Sequence, residues 1–219
     1  YRPAKPGQLY WRIAQFLFPF YTQPPEGVLG HHLITNAWVP MDDHHTLTFT
    51  MLPRPQTGPG VPGWSRQARL PIQGWSAKYP QVGLETLPNT SDWYGRFRLS
   101  THPRNDHGLD RQLQRSGQSY TGIASLRAQD QAATESMGPI YDRTEEHLAV
   151  SDVMVIRVRR RLLQALDRYQ KDGETPPGVD QPAVYRVRSG GVVLPEGADW
   201  IAATEALRTA VPASLNPSS

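Results

Sequence analysis

The chain has 219 residues, with 23 Lys and Arg against 20 Asp and Glu, a formal net charge of +3 and 38% hydrophobic residues. That length is enough for one substantial core, and the small, dispersed charge leaves no electrostatic footprint for nucleic acid. There is no cysteine, which excludes disulfides, thiolate zinc sites and cysteine-ligated clusters within these residues and suits a reducing cytoplasm. No apolar run reaches the roughly 18 residues of a membrane-spanning helix, so no membrane role is expected.

In chain order, residues 10–22, "YWRIAQFLFPFYT", are aromatic and branched and predict strand, ended by Pro19 and by "QPPEG" at 23–27. Residues 32–40 and 45–52 predict a β-hairpin. In the second, Thr46, Thr48 and Thr50 alternate with Leu47, Phe49 and Met51, a period of two with one wet and one buried face. "MDDH" supplies the turn. Residues 53–92 are rich in proline and glycine, with Trp64, Trp75 and Tyr79 interleaved. They predict a long loop packed by its own aromatics that covers the mouth of a pocket. Residues 105–118 predict short helix and turn.

A helix is predicted from about Gln129 to Met137, stopped by Gly138 and Pro139, with Asp130 at its mouth. "DRTEEHL" predicts a short turn or helical segment. The clearest helix is 151–172, with Ser151 as N-cap, an apolar stripe of Val155, Val158, Leu162, Leu166 and Tyr169, and Gly173 as its stop. "AVYRVRSGGVVLP" predicts two short strands around Ser-Gly-Gly. A last helix spans Asp199–Ala210, with Trp200, Ala203 and Leu207 on one face. Strands first and helices later predict an α+β domain with helices on an antiparallel sheet. The start at Tyr1, inside an apolar segment and without methionine, predicts a piece of a longer polypeptide.

Few constellations carry chemistry. "DDHH" at 42–45 invites a metal, but neighbouring strand residues point to opposite faces, and Asp and His suit a wet turn. His31 and His32 open a strand, and His147 follows two glutamates. Arg157 and Arg161 share a helix face, and Arg160 lies nearer the apolar stripe, where it can bury its stem and pair with a carboxylate. No HExxH, phosphate loop, dinucleotide glycine pattern or GxSxG occurs. Asp130, read alone, is a helix cap, a surface charge or a ligand. Glu135 lies about 140° away round a helix, so the two make no carboxylate pair.

Five segments appear in a telling order: "ITNAWVPMDDHHTLTF", "NDHGLDRQLQRSGQSYTGI", "QDQAATESMGPIYDRTEEHL", "SDVMVIRVRRRLLQAL" and "TPPGVDQPAVYRVRSGGVVLP". Together they resemble the C-terminal catalytic domain of Rieske non-haem iron aromatic ring-hydroxylating oxygenases, in the branch of the phthalate 4,5-dioxygenase oxygenase subunit. The resemblance runs from about Trp11 to Ala210. It implies a helix-grip α+β fold and one catalytic domain over 1–219. It also implies a mononuclear Fe(II) held by two histidines and one carboxylate, with positions open for O2. The carboxylate of the Gln129–Asp130 pair corresponds to the family's ligand, which makes Asp130 the metal ligand and the catalytic residue. The histidine motif (Asp, two residues, His, four residues, His) and the Rieske [2Fe-2S] motif are absent and belong upstream of Tyr1. These 219 residues alone are therefore expected to be inactive. The implied partners are an aromatic acid substrate, O2 and a reductase or ferredoxin fed by NAD(P)H. The implied assembly is a cytoplasmic homotrimer, and the chemistry hydroxylation or O-demethylation. The alternative is a non-catalytic helix-grip ligand-binding module.

Overall fold

The computed structural model describes residues 1–30, 34–51 and 86–210. The chain gathers into two compact units, Tyr1–Arg54 with His147–Ser219, and Pro55–Glu146. Their described elements form open antiparallel sheets accompanied by helices, the α+β composition of a helix-grip fold.

The first unit holds both sheets. Strands β1 (Arg2–Pro3), β2 (Gln8–Ile13) and β7 (Gly190–Pro195) make one, in the order β1-β2-β7. Strands β3 (Gln15–Leu17), β4 (Tyr21–Gln23), β5 (Thr35–Pro40) and β6 (Thr46–Met51) make the other, in sequence order. The segment expected as a single strand over 10–22 is therefore three. It leaves the first sheet after Ile13, enters the second at Gln15, and reverses so that Leu17 faces Tyr21. Aromatic and branched content marks strand propensity but carries no signal of where a strand changes partner.

The hairpin forms as expected, with Thr35↔Met51 and Pro40↔Thr46 at the ends of its register. Ala37 and Val39 share a face with Phe49 and Leu47, and Ala37 is fully buried. On the opposite face Trp38 Nε1 donates to Thr22 Oγ1 at 2.9 Å.

Two sequence expectations are corrected near the C-terminus. Only one strand forms around Ser-Gly-Gly, because residues 182–185 are a short 3-10 turn and Val187 makes a lone bridge to Thr209. Ser189 is buried instead, its Oγ donating to the Pro24 carbonyl at 2.8 Å. Ser189→Ala is expected to lower stability by about 1 kcal/mol, read by urea unfolding, because it removes one of the two hydrogen bonds that the Pro24 carbonyl accepts among the described residues, the other coming from the Glu26 N–H. The final helix, Trp200–Arg208, buries Thr204 and not Ala203.

The helices are α1 (Arg111–Arg115), α2 (Leu126–Glu135), α3 (Val153–Asp172) and α4 (Trp200–Arg208). Helix α3 ends at Gly173, in the left-handed conformation expected of a C-cap, with its N–H donating to the Tyr169 carbonyl. Ser151 is not its N-cap. It lies inside the 3-10 turn Val150–Asp152 that leads into the helix. Helix α4 starts at Asp199, whose Oδ1 accepts from the Ile201 and Ala202 N–H groups. Its inner face is Trp200, Thr204 and Arg208. Trp200 stacks on Trp11 of β2 at 5.4 Å, and the Arg208 guanidinium lies 5.7 Å from the Trp200 ring centroid while its Nε donates to Thr204 Oγ1. A four-residue step with a hydroxyl in the middle outcompetes the apolar stripe, because the hydroxyl is satisfied on both sides.

Candidate functional site

Asp130 sits on α2, in the second unit. The sequence placed the helix start near Gln129, which would make Asp130 a cap. The helix starts one turn earlier. Ser125 is the N-cap, buried, and its Oγ accepts from the Ala128 N–H at 3.4 Å, a contact worth about 1 kcal/mol. Asp130 therefore lies in the helix interior, where capping has no use for a carboxylate. Its side chain is exposed and makes no hydrogen bond or ion pair with a described residue. The surface-charge and ligand readings survive, and the cap does not.

The neighbours of Asp130 are all engaged. Gln129 Nε2 donates to the Ile123 carbonyl at 2.9 Å, anchoring the start of the helix. Gln131 Nε2 donates to Glu135 Oε1 at 2.8 Å and to the Thr101 carbonyl at 3.3 Å. Thr134 Oγ1 donates to the Asp130 carbonyl at 3.0 Å, which ties down the Asp130 backbone.

Packed against α2 is the 3-10 segment Pro103–Gly108. It brings in His107, which the sequence reading passed over. The signal was present in "NDHG", four residues that tolerate the left-handed backbone better than most, but nothing in the pattern says which of them turns inward. His107 is buried, and its Nδ1 lies 3.7 Å from Glu135 Oε2.

The other candidates do not assemble. Asp42 acts as the hairpin turn residue: its Oδ1 accepts from the His44 and His45 N–H groups at 2.8 and 2.7 Å, and His45 Nδ1 lies 2.9 Å away. The wet-turn reading of "DDHH" stands. Arg160 is exposed and forms no ion pair with a described residue. On α3, Lys171 pairs with Asp167 at 2.8 Å and Arg168 with Glu174 at 3.4 Å. His31, His32 and all of the expected loop before Thr86 lie outside the described residues.

Asp130 suits the part of a single hard oxygen donor, being exposed and without a competing side-chain partner among the described residues. It does not make a metal site. Among the described residues no group of three His, Cys, Asp or Glu side chains is placed to hold an ion. Fe(II) needs more donors than one carboxylate, and the described residues do not supply them.

Comparison with known proteins bears on the same point. Over 209 residues the chain is 41% identical to the 3-chlorobenzoate-3,4-dioxygenase oxygenase subunit of Comamonas testosteroni, which aligns with 93% of this chain and 46% of that protein. Over 194 residues it is 30% identical to the phthalate 4,5-dioxygenase oxygenase subunit of Pseudomonas putida, covering 87% of this chain and 39% of that protein. The chain thus spans less than half the length of these curated relatives. The resemblance to the phthalate 4,5-dioxygenase branch, first read from "QDQAATESMGPIYDRTEEHL", is borne out across most of the sequence. Residues 4–218 match the family model described as LigXa C-terminal domain like, and the chain belongs to that family.

Proposed function

We propose that this chain is the C-terminal part of an oxygenase subunit, with residues 1–219 acting as one catalytic domain. The complete subunit uses O2 at a mononuclear Fe(II) to hydroxylate or O-demethylate an aromatic acid. The observation that supports this most is the alignment of nearly the whole chain with two oxygenase subunits, each more than twice as long as the part it shares. Their names specify 3-chlorobenzoate and phthalate, both aromatic carboxylates, and that sets the proposed substrate class. Asp130 gives the iron its carboxylate. Two histidines from the part of the subunit outside these residues complete the set, since the one pair here with four residues between, His102 and His107, has Leu99 where the motif has its aspartate. A Rieske [2Fe-2S] cluster held by that same part would supply the electrons, with NAD(P)H as their source through a reductase or ferredoxin. The subunit works as a cytoplasmic homotrimer. No helix among the described residues is long and apolar enough to cross a membrane.

When bound, the iron supplies oxygen activation. The work of this chain is to hold one carboxylate open and correctly aimed, and one carboxylate alone loses Fe(II) to water. A second reading is a helix-grip module that binds an apolar ligand without chemistry. One measurement separates the two. The natural polypeptide, purified without denaturation, is weighed intact and assayed for iron and labile sulfide. A mass well above 24.6 kDa with both present supports the oxygenase. A mass equal to it, without iron, sinks that reading and leaves the binding module.

A further inference from the structure

Three consecutive residues, Asp106, His107 and Gly108, hold the left-handed backbone, with φ of 49°, 54° and 68°. Residues other than glycine visit this region singly, because Cβ crowds the following carbonyl. Such a run persists only where its surroundings over-determine it, and here they do. The His107 N–H donates to the His102 carbonyl at 3.0 Å, and the Leu109 N–H to the Asp106 carbonyl at 3.0 Å. Asn105 accepts from the His102 N–H at 2.9 Å and donates to the Ser100 carbonyl at 2.8 Å.

The strained run turns the imidazole inward. The His107 side chain is only 10% exposed, and its Nδ1 has no hydrogen-bond partner among the described residues. What faces it is Glu135 Oε2, at 3.7 Å. The other oxygen of that carboxylate accepts from Gln131, and the same Gln131 amide reaches the Thr101 carbonyl. Glu135 therefore lies between His107, at ion-pair distance, and Gln131, the residue next to Asp130. Gln131 and Glu135 are four apart and share a face of α2, whereas Asp130 lies about 100° round from Gln131. Fixing that face against residues 101–108 fixes the direction in which Asp130 points.

We propose that His107 is a positioning residue. Through Glu135 and Gln131 it locks α2 onto the 101–108 segment and so aims the Asp130 carboxylate. The lock rests on the geometry above, and its consequence for iron rests on the proposed role of Asp130.

Hydrogen exchange, followed by mass spectrometry on the full chain, tests the lock in the parent, His107→Asn, Glu135→Gln and the double variant. Asparagine tolerates the left-handed backbone, so the turn is kept while the imidazole is lost. Each single substitution is expected to speed exchange of the 126–135 amides about tenfold, and the double variant to add nothing further. Unchanged exchange, or fully additive effects, would overturn the lock. Should His107→Asn fail to fold, Glu135→Gln decides alone. It is expected to act less than Glu135→Ala, because its oxygen still accepts from Gln131, and equal effects count against the lock.

In the complete subunit the second readout is iron retained against a chelator, together with the Mössbauer spectrum of the bound iron. His107→Asn is expected to weaken retention roughly 10–100-fold and to shift the spectrum. If Asp130→Ala keeps its iron, the role of Asp130 fails and the exchange data still decide the lock. If Asp130→Ala loses iron while His107→Asn behaves as the parent, the positioning role is overturned and the role of Asp130 stands.

Discussion

In the complete subunit, Asp130→Ala is expected to lose its iron and its turnover while folding normally. Two magnitudes support that pairing. Removing a group that merely orients a metal ligand costs about 10–100-fold in affinity, so removing the ligand itself should cost more than about 100-fold. The fold has no reason to suffer. Asp130 is an exposed position inside α2, without a side-chain partner among the described residues. Alanine is the better helix former there, by roughly 0.5 kcal/mol. Iron content by elemental analysis and thermal unfolding by circular dichroism make the comparison. Full iron with an unchanged melting curve would reduce Asp130 to a surface charge. Lost iron with a collapsed melt would point to damage to the helix instead.

Gly190→Ala should be among the most destabilising substitutions in the first unit. Gly190 has φ of 145°, and an added Cβ would lie 2.6 Å from both the N and Cα of Leu29. Those are backbone atoms that cannot rotate away. Leu29 is 1% exposed, its N–H donates to the Gly191 carbonyl at 2.9 Å, and the Gly191 N–H donates to the Gly27 carbonyl at 2.8 Å. Relieving the overlap would pull residues 27–29 off β7 and break both bonds. The combined strain and overpacking should cost about 3 kcal/mol or more. Gly197→Ala is the control. Its φ is also positive, at 83°, but nothing lies within 4 Å of the added Cβ, so it carries the backbone penalty alone, about 1–2 kcal/mol. Urea unfolding of the two variants separates overlap from conformational strain. Equal losses would mean that the close crossing at Gly190 is not held in solution.

Much of the local structure was legible in the residues because local chemistry decides it. The alternation of Thr46 to Met51 fixed the faces of β6. The Asp42 turn follows from a short carboxylate reaching its own backbone. Gly173 stops α3 because a left-handed C-cap favours glycine, and the ten-residue α2 was found, though begun a turn late. The error at α2 has a simple cause. Gln129–Asp130 and Ser125 both offer plausible starts, and sequence alone cannot say which side chain reaches a free N–H.

Tertiary structure decided the rest, wherever partners are distant in sequence. The exchange of sheets between Ile13 and Gln15 depends on β7, more than 170 residues away, being present to pair with β2. Ser189 is buried against the Pro24 carbonyl, a partner 165 residues away. Thr204 faces inward because Trp200 and Arg208 satisfy it there. At the candidate site, the resemblance singled out Asp130, and only the fold shows that it is exposed inside the helix, without a side-chain partner among the described residues. The pairing of His107 with Glu135 needed the fold as well, since their 28-residue separation leaves no periodic trace. A pattern of residues states what each segment can do by itself. Which groups meet is settled when burial and hydrogen bonding are satisfied together.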